Sequence, residues 1–213
     1  IVPAGSASHI PYLVYLARGR DVEKPAVVVL LDSDSSGNDA KKSLKRGGPN
    51  KKQLLREELI LQLGEMKEGN NLNLPTGDLI DIEDLVPLPL CVKAVQKYMN
   101  SFCGISKEDA KKVTIDLLKQ NITPDLTLFD VIANSVKILS EDIHIEKVGF
   151  ARSLIDVLNR FSLDGGDEEI ISAVAEFERN MKLLFIRRNK MRREAERELN
   201  SEQEKEKVDR LKK

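Results

Sequence analysis

The first thirty residues carry apolar spacing that changes from strand to helix and back to strand. Residues 1–2 predict the end of a strand and residues 3–8 a turn of small residues, while residues 10–17 place apolar side chains at helical intervals. The continuous apolar run over residues 26–31 is typical of a parallel strand that is covered on both faces. These segments predict a β-α-β order at the start of the chain.

Residues 32–88 follow a weaker pattern of short apolar and polar segments. They predict, in order, a helix over 40–44 capped by Asn38 or Asp39, a charged helix from near Lys51, a strand over 59–63, and a short strand over 79–82. The fold class predicted for this part of the chain is therefore α/β, a parallel sheet flanked by helices.

From residue 90 onward the apolar periodicity is helical. It predicts helices over 90–102, 106–120 with Ser106 as N-cap, 126–139, 145–161, and from 167 into the tail. In the last helix one face is predicted to be buried, formed by Ile170, Val174, Phe177, Met181 and Leu184. The predicted domains are 1–88 (sheet), 89–186 (a helical region packed on it or inserted in it) and 187–213 (a charged, solvated helical tail).

Composition narrows the class of protein. A hydrophobic content of 41% is enough for a real core, and 32% charged residues indicate a solvated surface. The net charge of −1 lacks the basic excess of many nucleic-acid binders, so affinity for a polyanion would need local patches, a bound divalent cation or further segments of protein. The two cysteines and two histidines form no zinc motif, and no apolar run is long enough for a membrane span, so we expect a cytoplasmic protein without a membrane partner.

The strongest chemical signal is the sequence Asp32-x-Asp34-x-x-Gly37 at the end of an apolar strand. Ligands of parallel α/β sheets bind beyond the carboxyl ends of the strands, where these acids are expected to lie. Two carboxylates so close together repel each other, and a hard divalent cation relieves that repulsion by binding to both. The alternative is an exposed acidic turn in which the two aspartates cap nearby amides.

Residues 27–37 are similar to the DxDxxG element of TOPRIM domains, the metal-binding modules of topoisomerases, primases and OLD (overcoming lysogenization defect) nucleases. Residues 1–11 resemble the small-residue segment that precedes this strand in the OLD family. Residues 82–85 resemble an acidic segment of that family, and residues 146–148 resemble the place of its catalytic lysine. The resemblance covers roughly residues 1–160.

The resemblance implies a TOPRIM-like fold and a Mg²⁺- or Mn²⁺-dependent DNA endonuclease with a two-metal site. Asp32 and Asp34 would hold one ion, and Glu83, together with Asp84, would help to hold the second. Glu83 would also take part in catalysis, and Lys147 would stabilise negative charge in the transition state.

The resemblance also implies partners: DNA, an N-terminal ATPase domain of the same protein, further copies of the chain in a homo-oligomer, and an accessory defence protein. The biological setting would be phage defence or DNA repair. The family's first metal-binding glutamate would precede Ile1, so the chain is expected to be a fragment with an incomplete active site. No phosphate-loop motif is present, so ATP would act only through the ATPase domain.

Two other functions fit the same motif. Haloacid-dehalogenase-like phosphatases also place Asp-x-Asp after an apolar strand, with the first aspartate as nucleophile, although their downstream Gly-Asp-x-x-x-Asp is missing here. A non-catalytic, TOPRIM-derived assembly module would instead use the helices over 145–161 and 167–185 for dimerisation. For Glu83 and Lys147 the alternatives are a helix N-terminal acid and a solvated lysine.

Overall fold

The computed structural model describes residues 2–19, 25–46, 53–68, 70–78, 80–124, 126–164 and 167–211. These residues are mostly helical and include a small parallel sheet of two strands. The chain divides into two compact units, unit 1 formed by residues 1–68 and 183–213 and unit 2 formed by residues 69–182. The sequence predicts boundaries after residues 88 and 186, whereas the compact units divide after residues 68 and 182.

Unit 1 contains the sheet. Its elements are α1 (Ile10–Gly19), β1 (Val29–Leu31), α2 (Ser35–Arg46) and β2 (Ile60–Gln62), with 3₁₀ turns at Ala7–His9, Glu57–Leu59 and Leu63–Met66. Strand β1 pairs with β2 in parallel, with Val29 opposite Ile60 and Leu31 opposite Gln62. The predicted helix α1 and the parallel pairing are confirmed, but β1 occupies only the last three residues of the predicted strand.

Three sequence predictions in unit 1 are wrong where the chain is described. Val2 is not part of a strand, and Ile1 lies outside the described residues. The charged helix predicted from near Lys51 is absent from residue 53 onward, where a 3₁₀ turn stands instead, and residues 51–52 lie outside the description. Helix α2 begins at Ser35 instead of residue 40, because Asp34, and not Asn38 or Asp39, receives the Gly37 amide at its start.

The core of unit 1 includes residues from the charged tail. Helix α8 (Glu168–Leu211) contributes Ala195, which is buried with Leu31, Ala40 and Leu44 in one cluster. Met191 of the same helix is also buried. The prediction of a solvated tail is therefore wrong at Met191 and Ala195, which lie four residues apart on one face of the helix and are buried.

Unit 2 is helical. After a 3₁₀ turn at Ile82–Leu85 it contains α3 (Leu88–Phe102), α4 (Lys107–Ala110), α5 (Ile115–Gln120), α6 (Leu128–Leu139), α7 (Lys147–Asp164) and the first part of α8. The strand predicted over residues 79–82 is absent from the described residues 80–82, and residue 79 lies outside the description. The single helix predicted over residues 106–120 is two helices.

The core of unit 2 forms mainly where α3 packs against α7, and α4 and α5 also pack against α3. Its largest fully buried side chains are Leu85, Leu90, Val95, Met99, Leu118, Leu128, Ile132 and Phe150. From α8, Ile170 and Val174 are buried as predicted, and the amide of buried Asn180 donates to the Leu85 carbonyl over 3.0 Å. No helix in the described ranges is long and apolar enough to cross a lipid bilayer.

Candidate functional site

Asp32 and Asp34 follow directly after strand β1, at the carboxyl edge of the parallel pair. Leu31, the last residue of β1, lies opposite Gln62, the last residue of β2, so both strands end at the same level. Both aspartates are exposed. The chain therefore places two carboxylates at the edge of the sheet where parallel α/β proteins bind ligands.

Gly37 lies directly against the backbone of Asp32. A Cβ at this position would fall 3.0 Å from the Asp32 carbonyl carbon, 3.2 Å from Oδ1 of Asp34 and closer still to the Asp32 carbonyl oxygen. The Gly37 amide donates to Oδ1 of Asp34 over 2.6 Å. A glycine is needed here because the first turn of α2 folds back onto the turn that carries the aspartates.

Gln62 ties this turn to the end of β2. Its side-chain amide donates to Oδ1 of Asn38 over 2.7 Å and to the Asp32 carbonyl over 3.3 Å, and its Oε1 accepts from Nζ of Lys41 over 3.4 Å. Lys41 is also ion-paired with Glu65. Gln62 is buried, so the sheet edge is held by a polar network that an exposed turn would lack.

The aspartate pair has the type of oxygen atoms that a hydrated magnesium ion takes as ligands. No group of three or more histidine, cysteine, aspartate or glutamate side chains in the described parts of the chain is arranged to hold a metal. Mg²⁺ is commonly bound by only one or two carboxylates and keeps several water molecules or takes phosphate oxygens as its other ligands. Asp32 and Asp34 supply such a pair of hard oxygen ligands.

A second charged cluster lies in unit 2, around the start of α7. Nζ of Lys147 lies 2.5 Å from Oδ2 of Asp81, 3.5 Å from Oε2 of Glu83 and 5.4 Å from the centre of the Phe129 ring. The side chains of Asp81 and Glu83 are 10% and 15% exposed, whereas Lys147 is 48% exposed. The structure thus brings together Glu83 and Lys147, both predicted as site residues, and adds Asp81, which the sequence did not single out.

Lys147 is a fixed cation at neutral pH. Burial alone would lower its pKa, but the hydrogen bond to Asp81 and the charges of Glu83 and Asp81 together raise that pKa above its ordinary value of 10.5. A lysine that stays protonated cannot act as a general base. It can stabilise negative charge on a bound phosphate.

The stability that this cluster contributes is expected to depend on pH at the alkaline end. Because the folded-state pKa of Lys147 is raised, its stabilising effect is complete below 10.5 and is lost as the pH rises through the raised value. The difference in free energy of unfolding between wild type and Lys147→Met should stay constant from neutral pH to about 10.5 and should then shrink as the pH rises through the raised pKa. Urea titrations over this pH range measure it, and a difference that grows with rising pH would contradict the ion pairing.

Asp84 has a structural environment. It is fully buried, and its carboxylate accepts the amides of Ile80, Asp81 and Leu128 over 2.8, 2.8 and 2.7 Å. Burial raises the pKa of this carboxyl group, and the three amides oppose that shift. Since both oxygens already accept hydrogen bonds, a cation would have to compete with these amides; its assignment as a metal ligand stays a prediction.

The predicted site residues fall into the two units. Asp32 and Asp34 belong to unit 1, whereas Glu83, Asp84 and Lys147 belong to unit 2. Sequence analysis missed Gln62 and Asp81. The position of Gln62 at the end of an apolar strand could have indicated its role, because a buried side-chain amide needs hydrogen-bond partners. Asp81 has no such signal, because its partner Lys147 is far away in the sequence.

Searches of protein-family models, curated proteins and solved structures found no match to this chain.

Proposed function

We propose that this chain is the TOPRIM-like part of a metal-dependent DNA endonuclease of the OLD type, in which Asp32 and Asp34 hold a Mg²⁺ or Mn²⁺ ion. The observation that supports this most is the aspartate pair at the carboxyl end of a parallel strand, on a turn closed by a glycine that has no room for a Cβ. An ordinary acidic surface turn needs neither the buried Gln62 network nor so close a backbone contact.

The residues of the chain have separable roles in this proposal. Asp32 and Asp34 supply anionic oxygens, and Gly37 and Gln62 fix the turn that carries them. A bound divalent ion would supply Lewis-acid activation of water and charge stabilisation at the phosphate. Lys147, held protonated beside Asp81, would stabilise negative charge on a phosphate, which is the role that the resemblance gives it.

Further parts of the proposal come from the resemblance to OLD nucleases. Glu83 would take part in catalysis and, with Asp84, in holding a second ion. ATP would act through an N-terminal ATPase domain of the same protein, and the chain would work as a homo-oligomer in the cytoplasm, with DNA and an accessory defence protein as partners. Defence against phage is the setting that this combination favours.

The test is metal binding and plasmid nicking by the Asp32→Asn/Asp34→Asn double variant. Asparagine is chosen because it caps helices as well as aspartate does, so α2 keeps its start while the negative charges are lost. We expect the variant to lose the heat of Mn²⁺ binding in calorimetry. The full-length protein carrying the double change should nick supercoiled plasmid at least about 100-fold more slowly. Loss of a residue that only supports a metal ligand already costs up to about 100-fold, and loss of the ligands themselves should cost no less.

Asp39→Asn is the matched control, because Asp39 is an exposed acid of α2 that pairs with Lys42 over 3.1 Å. It should leave both measurements unchanged. Release of phosphate from small monoesters with plasmid left intact would replace the nuclease proposal with a phosphatase. Absence of ion heat and of both reactions in the wild-type protein would indicate an assembly module.

A further inference from the structure

Helix α8 carries a row of exposed cations in its unit 1 part. Arg187, Lys190, Arg193 and Arg197 follow one another at intervals of three, three and four residues, which places them on one face of a helix. All four side chains are exposed. Leu184, Met191 and Ala195 of the same segment are buried. We call these four residues the α8 basic stripe.

Three acids of the same helix interact with arginines elsewhere in unit 1. Glu198 pairs with Arg56 over 3.8 Å and Glu202 with Arg18 over 3.6 Å, and the charge of Glu194 also acts on Arg56. These three glutamates recur every four residues and are only partly exposed. These three glutamates therefore act on arginines outside the stripe.

The cations of the stripe have no ion-pair partner in the described part of the chain. Glu196, the exposed acid between them, pairs with Arg192 over 3.3 Å. Arg187, Lys190, Arg193 and Arg197 form no ion pair with any residue that the structure describes. The net charge of −1 for the whole chain thus coexists with a strongly positive local surface.

We infer that the α8 basic stripe binds the phosphodiester backbone of duplex DNA. At a rise of 1.5 Å per residue, the four cations span about 15 Å, or roughly one cation per 5 Å. A strand of a duplex presents one phosphate per roughly 3.4 Å of axis, so the stripe can face about four phosphates. Three of the four cations are arginines, whose planar guanidinium group binds two phosphate oxygens at once.

A lipid surface fits this segment less well. Helices that lie in a membrane interface bury a wide apolar face in the lipid. Here Leu184, Met191 and Ala195 are already buried, and the two exposed large apolar residues beside the stripe are Phe185 (43%) and Ile186 (56%), too few for a wide apolar face. The neighbouring Phe185 ring lies 5.1 Å from the guanidinium of Arg188. The favoured polyanion is therefore a nucleic acid.

This role of the α8 basic stripe rests on the proposed function for the identity of the polyanion, but DNA binding by the stripe can be measured without DNA cleavage. The experiment compares wild type with a variant in which the four stripe residues are changed to glutamine, which keeps helix propensity high. The affinity of each protein for a fluorescent duplex of about 30 base pairs, roughly three helical turns, is measured in EDTA over a series of salt concentrations.

We expect the salt dependence of binding, the slope of log K against log salt, to become shallower by about 3 to 4 in the stripe variant, because each lost phosphate contact removes about 0.9. The matched control changes Lys107, Lys111, Lys112 and Lys119 to glutamine, which removes the same charge from exposed positions of unit 2. Two of these lysines are already paired, with Glu108 and Asp109. The control should change the slope by less than 1.

Three results would overturn the inference. The first is absence of duplex binding by the wild type, and the second is an equal change of the salt slope in the control variant. The third is binding to anionic vesicles instead of DNA, tested with about 30 mol% phosphatidylserine to represent an anionic cytoplasmic leaflet. The Asp32→Asn/Asp34→Asn variant separates the two proposals, since it should still bind the duplex in EDTA. If the stripe variant loses binding while the wild type neither binds metal nor cleaves, the stripe inference stands and the nuclease proposal fails.

Discussion

Gly37→Ala is expected to destabilise unit 1 by roughly 3 kcal/mol, near the upper end of the usual cost of overpacking. The added methyl group would meet the carbonyl of Asp32, which is backbone and cannot rotate away. Relief would require α2 to move from β1 and would break the hydrogen bond between the Gly37 amide and Asp34. Because the carboxylates stand on this turn, binding of Mn²⁺ should weaken as well.

The sign of the stability change in Gly37→Ala distinguishes steric conflict from helix propensity. Gly37 lies inside helix α2 without a positive φ, so helix propensity alone predicts that alanine stabilises by about 1 kcal/mol. Hydrogen exchange of the α2 amides, measured by mass spectrometry, separates the two expectations, since steric conflict accelerates exchange and propensity slows it. Ser36→Ala, at the exposed neighbouring position, is the control and should leave exchange nearly unchanged.

Asp84→Ala should destabilise unit 2 by about 3 kcal/mol or more, because each buried amide left without an acceptor costs about 1–3 kcal/mol and three amides, one of them only part-buried, lose theirs. One of them, the amide of Leu128, belongs to the first residue of α6, so the start of that helix should loosen first. Urea unfolding, with hydrogen exchange of residues 128–139, measures the loss.

Asp130→Ala is the control for Asp84. Asp130 completes the capping box of the same helix through the amide and hydroxyl of Thr127, but it is exposed, so water can replace it. Its loss should be several-fold smaller. Equal effects of the two variants would mean that water reaches the Asp84 amides, and Asp84 would then be better placed to bind a cation than its burial suggests.

Elements with strong local signals were predictable from the sequence. Helices α1, α3 and α6 and strand β2 stand close to their predicted positions because their apolar periodicity agrees with their tertiary environment. The Ser106 cap was also predicted correctly, since its hydroxyl accepts the Asp109 amide over 3.1 Å. The break before α5 was missed because Thr114, which caps that helix, stands inside a continuous apolar pattern.

The candidate site was only partly predictable, because its supporting residues are joined over long distances in sequence. Asp32 and Asp34 could be singled out from a local motif. The Lys147–Asp81 and Gln62–Asp32 contacts depend on how distant segments pack. The burial of Ala195 could not be foreseen either, since one small residue in a charged helix gives no periodic signal.

The divided composition of unit 1 sets an order for biosynthesis. Residues 69–182 are contiguous, so unit 2 can fold on the ribosome as soon as they have emerged. Unit 1 must wait, because its core includes Ala195, which is translated last of all its core residues. The nascent aspartate turn therefore cannot reach its final packing until residue 195 has emerged from the ribosome, long after the turn itself has been translated.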